Sequence, residues 1–202
     1  MAAPQNAPCG WYGSFLDFLL LPKAFWLAAL QEHYRRFTNR TPDQEQRSAW
    51  DREFDILAKE LKQFLQVKPA LGNWTIIFGY DVPRWQVRGP DVIILGAAIF
   101  VLEFEDQAGA LQVHVDQVAA SARDLKQYHA GSRQSTIIPL LVPTRAKGLI
   151  GRDGDVIILS PDRIADVFTV ESEIETGPLI DPAPWIAAGY SPHSFSLPES
   201  GE

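Results

Sequence analysis

The sequence predicts an α/β domain in which a mixed sheet is flanked by helices and preceded by a helical extension. Two observations carry this. The apolar spacing changes at 69–73 from a period of about 3.6 residues to a period of about 2 or to continuous apolar runs. The elements also follow the order α-α-β-β-β-α-β-β-α, which suits a layered sheet covered on both faces. With 202 residues and 46% hydrophobic side chains, the chain has enough apolar material for one full core.

Residues 1–10 are small and Pro-rich, and 1–12 read as a flexible N-terminus. Ser14 caps a short helix to Leu21, and Pro22 opens a second, PKAFWLAALQEHYRRF. Thr41, Pro42 and Gln44 supply an N-cap, a first-turn proline and a capping-box partner for a long helix to about Gln66. Its stripe of Trp50, Phe54, Leu57, Leu61 and Phe64 faces a core. WTIIFGY (74–80), DVIILG (91–96) and AIFVLEFE (98–105) form an antiparallel meander. A helix from about Val113 to His129 acts as the crossover to a parallel strand in STIIPLLVP (135–143). TRAKGLIGRDG is a loop, DVIILS (155–160) a further strand, and Ser160 with Pro161 starts a short helix. The domain thus runs over 13–170, helical over 13–66 and sheet-containing over 74–170. An acidic, Pro-rich segment follows over 171–202, with one amphipathic patch, PAPWIAAGY.

Composition narrows the function classes. The single cysteine, Cys9, leaves no internal disulfide framework, and no cysteine or histidine spacing matches a zinc site. The apolar stretch FLDFLLLPKAFWLAAL is broken by Asp17, Pro22 and Lys23 and falls short of the roughly 20 apolar residues of a membrane span. No signal-peptide pattern opens the chain, so a soluble cytoplasmic protein is expected. A net charge of −7 repels a polyanion at long range, so any nucleic-acid contact must be local or supplied by a partner.

The chemistry concentrates in GPDVIILGAAIFVLEFE (89–105), a hairpin whose three charges, Asp91, Glu103 and Glu105, lie at one end. A three-residue loop over 96–98 pairs Leu95 with Ile99 and places Asp91 opposite Glu103. Alternation puts Glu103 and Glu105 on one face, whereas a slip of one residue would separate Asp91 from both. Two carboxylates about 4 Å apart repel by roughly 4 kcal/mol at an effective dielectric near 20. A hard divalent cation, Mg²⁺ or Mn²⁺, relieves this and activates water for phosphodiester chemistry. The alternative is a solvated strand end whose charges deter edge pairing.

Pro90-Asp91, the apolar strand and Glu103-Phe104-Glu105 resemble the PD-(D/E)XK nuclease signature. IIFGYDVPR, RGPDVIIL, FVLEFE, VDQVAASARDLKQYHAGS and IIPLLVPTRA are further similar to the nuclease-like region ahead of the ATPase in DUF2075-type bacterial helicase proteins, from about Trp11 to Tyr190. The resemblance implies a restriction-endonuclease-like fold, metal ligands at Asp91 and Glu103, and Glu53 on a helix near them. Glu105 stands where the signature has Lys, Gly79 where such proteins tend to have Glu, and Ser121 where Tyr is usual. Glu105 is then a third ligand or a base, and Gln117 supports substrate or water. No GxxxxGK[ST] is present, so an ATPase or helicase would be a separate partner, in a setting such as bacterial defence.

Arg84, Trp85 and Arg88 in PRWQVRG suit phosphate contact and base stacking on DNA, and Lys126 is a further cation one helix away. The four histidines are scattered and read as surface or structural. Three functions stay open: a Mg²⁺- or Mn²⁺-dependent DNA nuclease, a catalytically degenerate module of the same fold that binds DNA or recruits a partner, and an unrelated small-molecule or protein-binding domain.

Overall fold

A computed structural model of the chain describes residues 8–81 and 89–189. Their strands form one seven-stranded mixed sheet, in the order β1-β2-β3-β4-β5-β7-β6. The strands are β1 (Trp11–Ser14), β2 (Thr75–Phe78), β3 (Val92–Leu95), β4 (Ile99–Glu105), β5 (Ile137–Pro143), β6 (Ile150–Asp153) and β7 (Val156–Leu159). The helices are α1 (Phe15–Leu20), α2 (Lys23–Thr38), α3 (Gln44–Val67), α4 (Gln112–Tyr128), α5 (Ile164–Ile174) and α6 (Pro182–Ala188). The α/β class with a mixed, helix-flanked sheet is as the sequence predicts.

Strands β1 to β4 pair antiparallel, and α4 then returns β5 parallel to β4. The register runs from Leu95 opposite Ile99 to Val92 opposite Leu102, so the hairpin loop has the three residues expected. Gly96 makes this turn possible: a Cβ there would lie 2.6 Å from the Trp74 ring. Helices α1, α2, α3 and α5 bury one face, where Phe18, Trp26, Phe54, Phe64 and Phe168 meet Ile76, Phe78, Phe100 and Leu102. Helices α4 and α6 cover the other, where Val118, Leu125 and Trp185 meet Ile77, Ile93, Ile99 and Val101. Fully burying one such side chain contributes about 1.5–3 kcal/mol.

Local signals place most helix starts. Ser14 and Asp17 form a capping box on α1. The cap of α3 is a correction: Asp43, not Thr41, accepts from the Gln46 amide at 2.8 Å. Pro22 sits at the N-cap of α2 rather than inside it. Ser160 occupies a cap position, yet its hydroxyl accepts from the Leu149 amide, and a 3₁₀ turn precedes α5.

Three boundaries differ from the sequence reading. Cys9 is buried and Gly10 donates to the Phe78 carbonyl, so the sheet begins inside the stretch read as a flexible N-terminus. Burial raises the Cys9 thiol to about 12, with Asp81 adding to the effect. The segment read as the loop TRAKGLIGRDG contains β6, an exposed edge strand on β7. The boundary at 170 falls within α5, and the acidic segment beyond it supplies α6, whose Trp185 is buried.

Candidate functional site

The carboxyl end of β4 is where the expected acids gather. One step beyond the Val92–Leu102 pair, Asp91 lies opposite Glu103, and its Oδ2 accepts from the Phe104 amide at 2.8 Å. This bond fixes the Asp91 carboxylate against the neighbouring strand. Strand alternation sends Glu103 and Glu105 to the face covered by α4, with Ile99 and Val101. In keeping with this, Glu105 Oε2 lies 3.6 Å from Nε2 of His114 on α4. Gln117 is half-buried one turn further along that helix, and Ser121 follows after another turn.

Helix α3 reaches the same end of the sheet from the opposite face. Its buried stripe includes an acid, Glu53, only 3% exposed. Glu53 lines two clefts. The larger, about 680 Å³, also has Trp50, Tyr34, His33, Asp81, Arg40 and Asp91 on its walls. The smaller, about 310 Å³, has Glu105, Asp106, Arg52, Ser48 and Thr144. The structure therefore divides the acids: Asp91 joins Glu53 in one cleft and Glu105 joins it in the next. Glu103, 3% exposed, lines neither. Among the described residues no three His, Cys, Asp or Glu side chains are assembled as a metal-holding group.

The cationic candidates fare differently. Lys126 donates to the Ser135 carbonyl at 2.7 Å, just before β5 begins. Glu105 pairs with Pro143 at the other end of that strand, and six residues of strand span roughly 20 Å. Lys126 is thus corrected from a site cation to a tie at the far end of the sheet. Arg84, Trp85 and Arg88 lie outside the described residues.

Residues not singled out from the sequence stand at the site instead. Arg52 precedes Glu53 on α3, and Arg145 follows β5. Both reach Asp106, the residue after Glu105. Backbone bonds from Thr144 to Glu105 (2.8 Å) and from Arg145 to Gln107 (2.9 Å) hold the two loops together. The signal for Arg145 was its place just past the end of a parallel strand, where α/β sheets collect ligands. His33 pairs with Asp81 at 2.8 Å on the wall of the larger cleft. Gly79, beside them, holds φ +60°, a conformation that disfavours the side chain the resemblance expects there.

Away from the site, two buried polar groups are structural. Glu60 accepts from the Ala165 amide at the start of α5, and burial raises its carboxyl above the usual range. His129 accepts or donates to Tyr80 Oη at 3.0 Å and Ser132 Oγ at 2.9 Å, and burial lowers it to about 4. No helix among the described residues is long and apolar enough to cross a membrane. Compared with known proteins, the chain matches no family model, no curated protein and no solved structure.

Proposed function

We propose that the chain is a nuclease-like protein that hydrolyses DNA phosphodiester bonds with Mg²⁺ or Mn²⁺. The observation that supports this is that acids from three segments, Glu53 of α3, Asp91 ahead of β3 and Glu103 with Glu105 of β4, stand at one end of the sheet, divided between its two faces. The donors are all hard oxygens. Mg²⁺ is commonly held by one or two carboxylates, with substrate phosphate and water completing its shell. Asp91 and Glu103 would hold the ion, which supplies a Lewis acid for phosphate and an acidified water.

The chain's own residues set the stage for that chemistry. The Phe104 amide fixes Asp91, and Glu103 follows directly on the last ladder pair, Val92–Leu102. Burial of Glu103 raises the cost of leaving a charge there without neutralisation. Glu53 adds negative potential from the facing helix, and Gln117, behind His114, has the reach of a polar support. The restriction-endonuclease-like assignment of the sheet belongs to this proposal.

The test is cleavage of single- and double-stranded DNA with Mn²⁺ by the parent, Asp91→Asn and Glu103→Gln. Each variant is expected to lose at least about 100-fold in rate. Cleavage undiminished in both variants sinks the proposal.

A second reading is a catalytically degenerate fold that binds DNA or recruits a separate helicase or ATPase. It draws on Glu105, which faces His114 at the position where the resemblance has Lys. Cleavage that appears only in Glu105→Lys would favour it. Gly79→Glu is the poorer test, because of the strained φ at that position.

A further inference from the structure

The Asp106 carboxylate is held as a phosphate would be held. Its Oδ1 accepts from Arg145 Nε at 2.8 Å and from Thr144 Oγ1 at 3.3 Å. Its Oδ2 accepts from Arg145 Nη2 at 2.8 Å, with Arg52 Nη2 at 3.4 Å. A forked guanidinium, a second guanidinium and a hydroxyl converge on one planar anion. That donor set matches a phosphodiester at least as well as a carboxylate.

The setting argues for more than a surface ion network. The two arginines come from different elements, α3 and the loop after β5, and meet at Asp106, which lines the smaller cleft with Arg52 and Thr144. Backbone hydrogen bonds pin the Arg145 loop to 105–107, so the fork is positioned before any ligand arrives. Asp106 itself sits in the exposed loop between β4 and α4, half open to solvent. Arg145 holds its carboxyl below the usual range. The other charges lining this cleft are acids, Asp43, Glu45, Glu53 and Glu105. Arg52 is the single cation among its lining residues, so the two guanidiniums would hold an anion locally within a negative surround.

We infer that Arg52, Arg145 and Thr144 form a binding site for a backbone phosphate of DNA, which Asp106 fills as a displaceable internal stand-in. The identity of the ligand rests on the proposed nuclease-like function, while the anion site rests on the geometry alone. Arg52 and Thr144 share the smaller cleft with Glu53 and Glu105. Entry of the phosphate frees Asp106 to swing out into solvent.

The experiment is anisotropy of a labelled oligodeoxynucleotide with the full chain in EDTA, which keeps cleavage out of the readout. Asp106→Asn is expected to tighten binding roughly three- to tenfold, because the internal competitor is gone. Arg145→Gln and Arg52→Gln are expected to weaken it, each lowering the salt slope by about one. Thermal melts identify any variant that fails to fold, and Asp106→Ser serves as a second removal of the stand-in. Inorganic phosphate at constant ionic strength should displace the oligonucleotide from the parent. Affinities unchanged in Asp106→Asn, Asp106→Ser and Arg145→Gln overturn the site. Phosphate binding without oligonucleotide binding overturns the DNA assignment. No cleavage by the parent in the separate Mn²⁺ assay, with these affinity changes present, counts against the nuclease reading alone.

Discussion

The two faces of the sheet are buried by different chemistry. Under α1, α2, α3 and α5 the core is aromatic: Phe18 alone packs against Trp11, Trp26, Phe54 and Phe78 at ring-centroid distances from 4.8 to 6.5 Å. Under α4 and α6 it is mainly aliphatic and is crossed by a buried polar chain, Tyr80–His129–Ser132–Trp185. The aromatic face gains area and interlocking rings, with one buried carboxyl, Glu60, between α3 and α5. The aliphatic face gains directional bonds, and with them a dependence on the charge of one imidazole.

The largest expected effect strikes the aromatic face. Phe18→Ala should cost about 3–5 kcal/mol, read from urea unfolding at neutral pH, since a fully buried ring leaves a cavity among four others. A loss below about 1 kcal/mol would mean that this face repacks freely. Next comes the pH response of the opposite face. His129 titrates near 4 when folded and near 6.5 when unfolded, because burial disfavours its charged form. The unfolded state therefore binds the extra proton between those values. Stability is full above about pH 6.5 and falls as the pH drops toward 4, by roughly 2–4 kcal/mol. Urea midpoints across that window should show the slope, and His129→Asn should flatten it. Phe18→Ala, by contrast, should shift the curve without changing its slope.

Smaller effects sharpen the contrast. Trp185→Phe keeps most of the buried area but removes the 3.0 Å bond from Nε1 to Ser132, for about 1–2 kcal/mol in the same assay. Lys23→Met, at the rim of the aromatic face, removes ion pairs to Asp51 and Asp55. These are largely exposed, so the change should stay within about 1 kcal/mol and shrink with added salt.

The same contrast explains what the sequence made legible. The aromatic stripe of α3 repeats at helical spacing, so Trp50, Phe54, Leu57, Leu61 and Phe64 announced both a helix and the face it buries. The register of Asp91 against Glu103 followed from loop length, because a hairpin's pairing is local. Edge strands were harder. β6 reads IGRD and is mostly exposed, so backbone pairing with β7 holds it and hydrophobic alternation leaves no trace. β1 is only four residues long, and Gly13 interrupts its pattern. The polar chain around His129 joins residues about fifty positions apart, beyond the reach of any periodicity. Arg145 and Asp106 are likewise brought together only once β5 lies parallel to β4. Thr41, followed by Pro42 and Gln44, carries the capping-box pattern, yet the bond from the Gln46 amide to Asp43 starts the helix two residues later.

Gly96 has a consequence for anyone surveying variants. With the Trp74 ring filling the space where a side chain would begin, every substitution must displace that ring or distort the turn. Either response threatens the register that sets Asp91 opposite Glu103. In a saturation mutagenesis screen scored by the proposed cleavage, position 96 should look as intolerant as Asp91 and Glu103, although it contributes no reactive group. A residue of no chemistry would be mistaken for part of the machinery, unless folding were scored beside function.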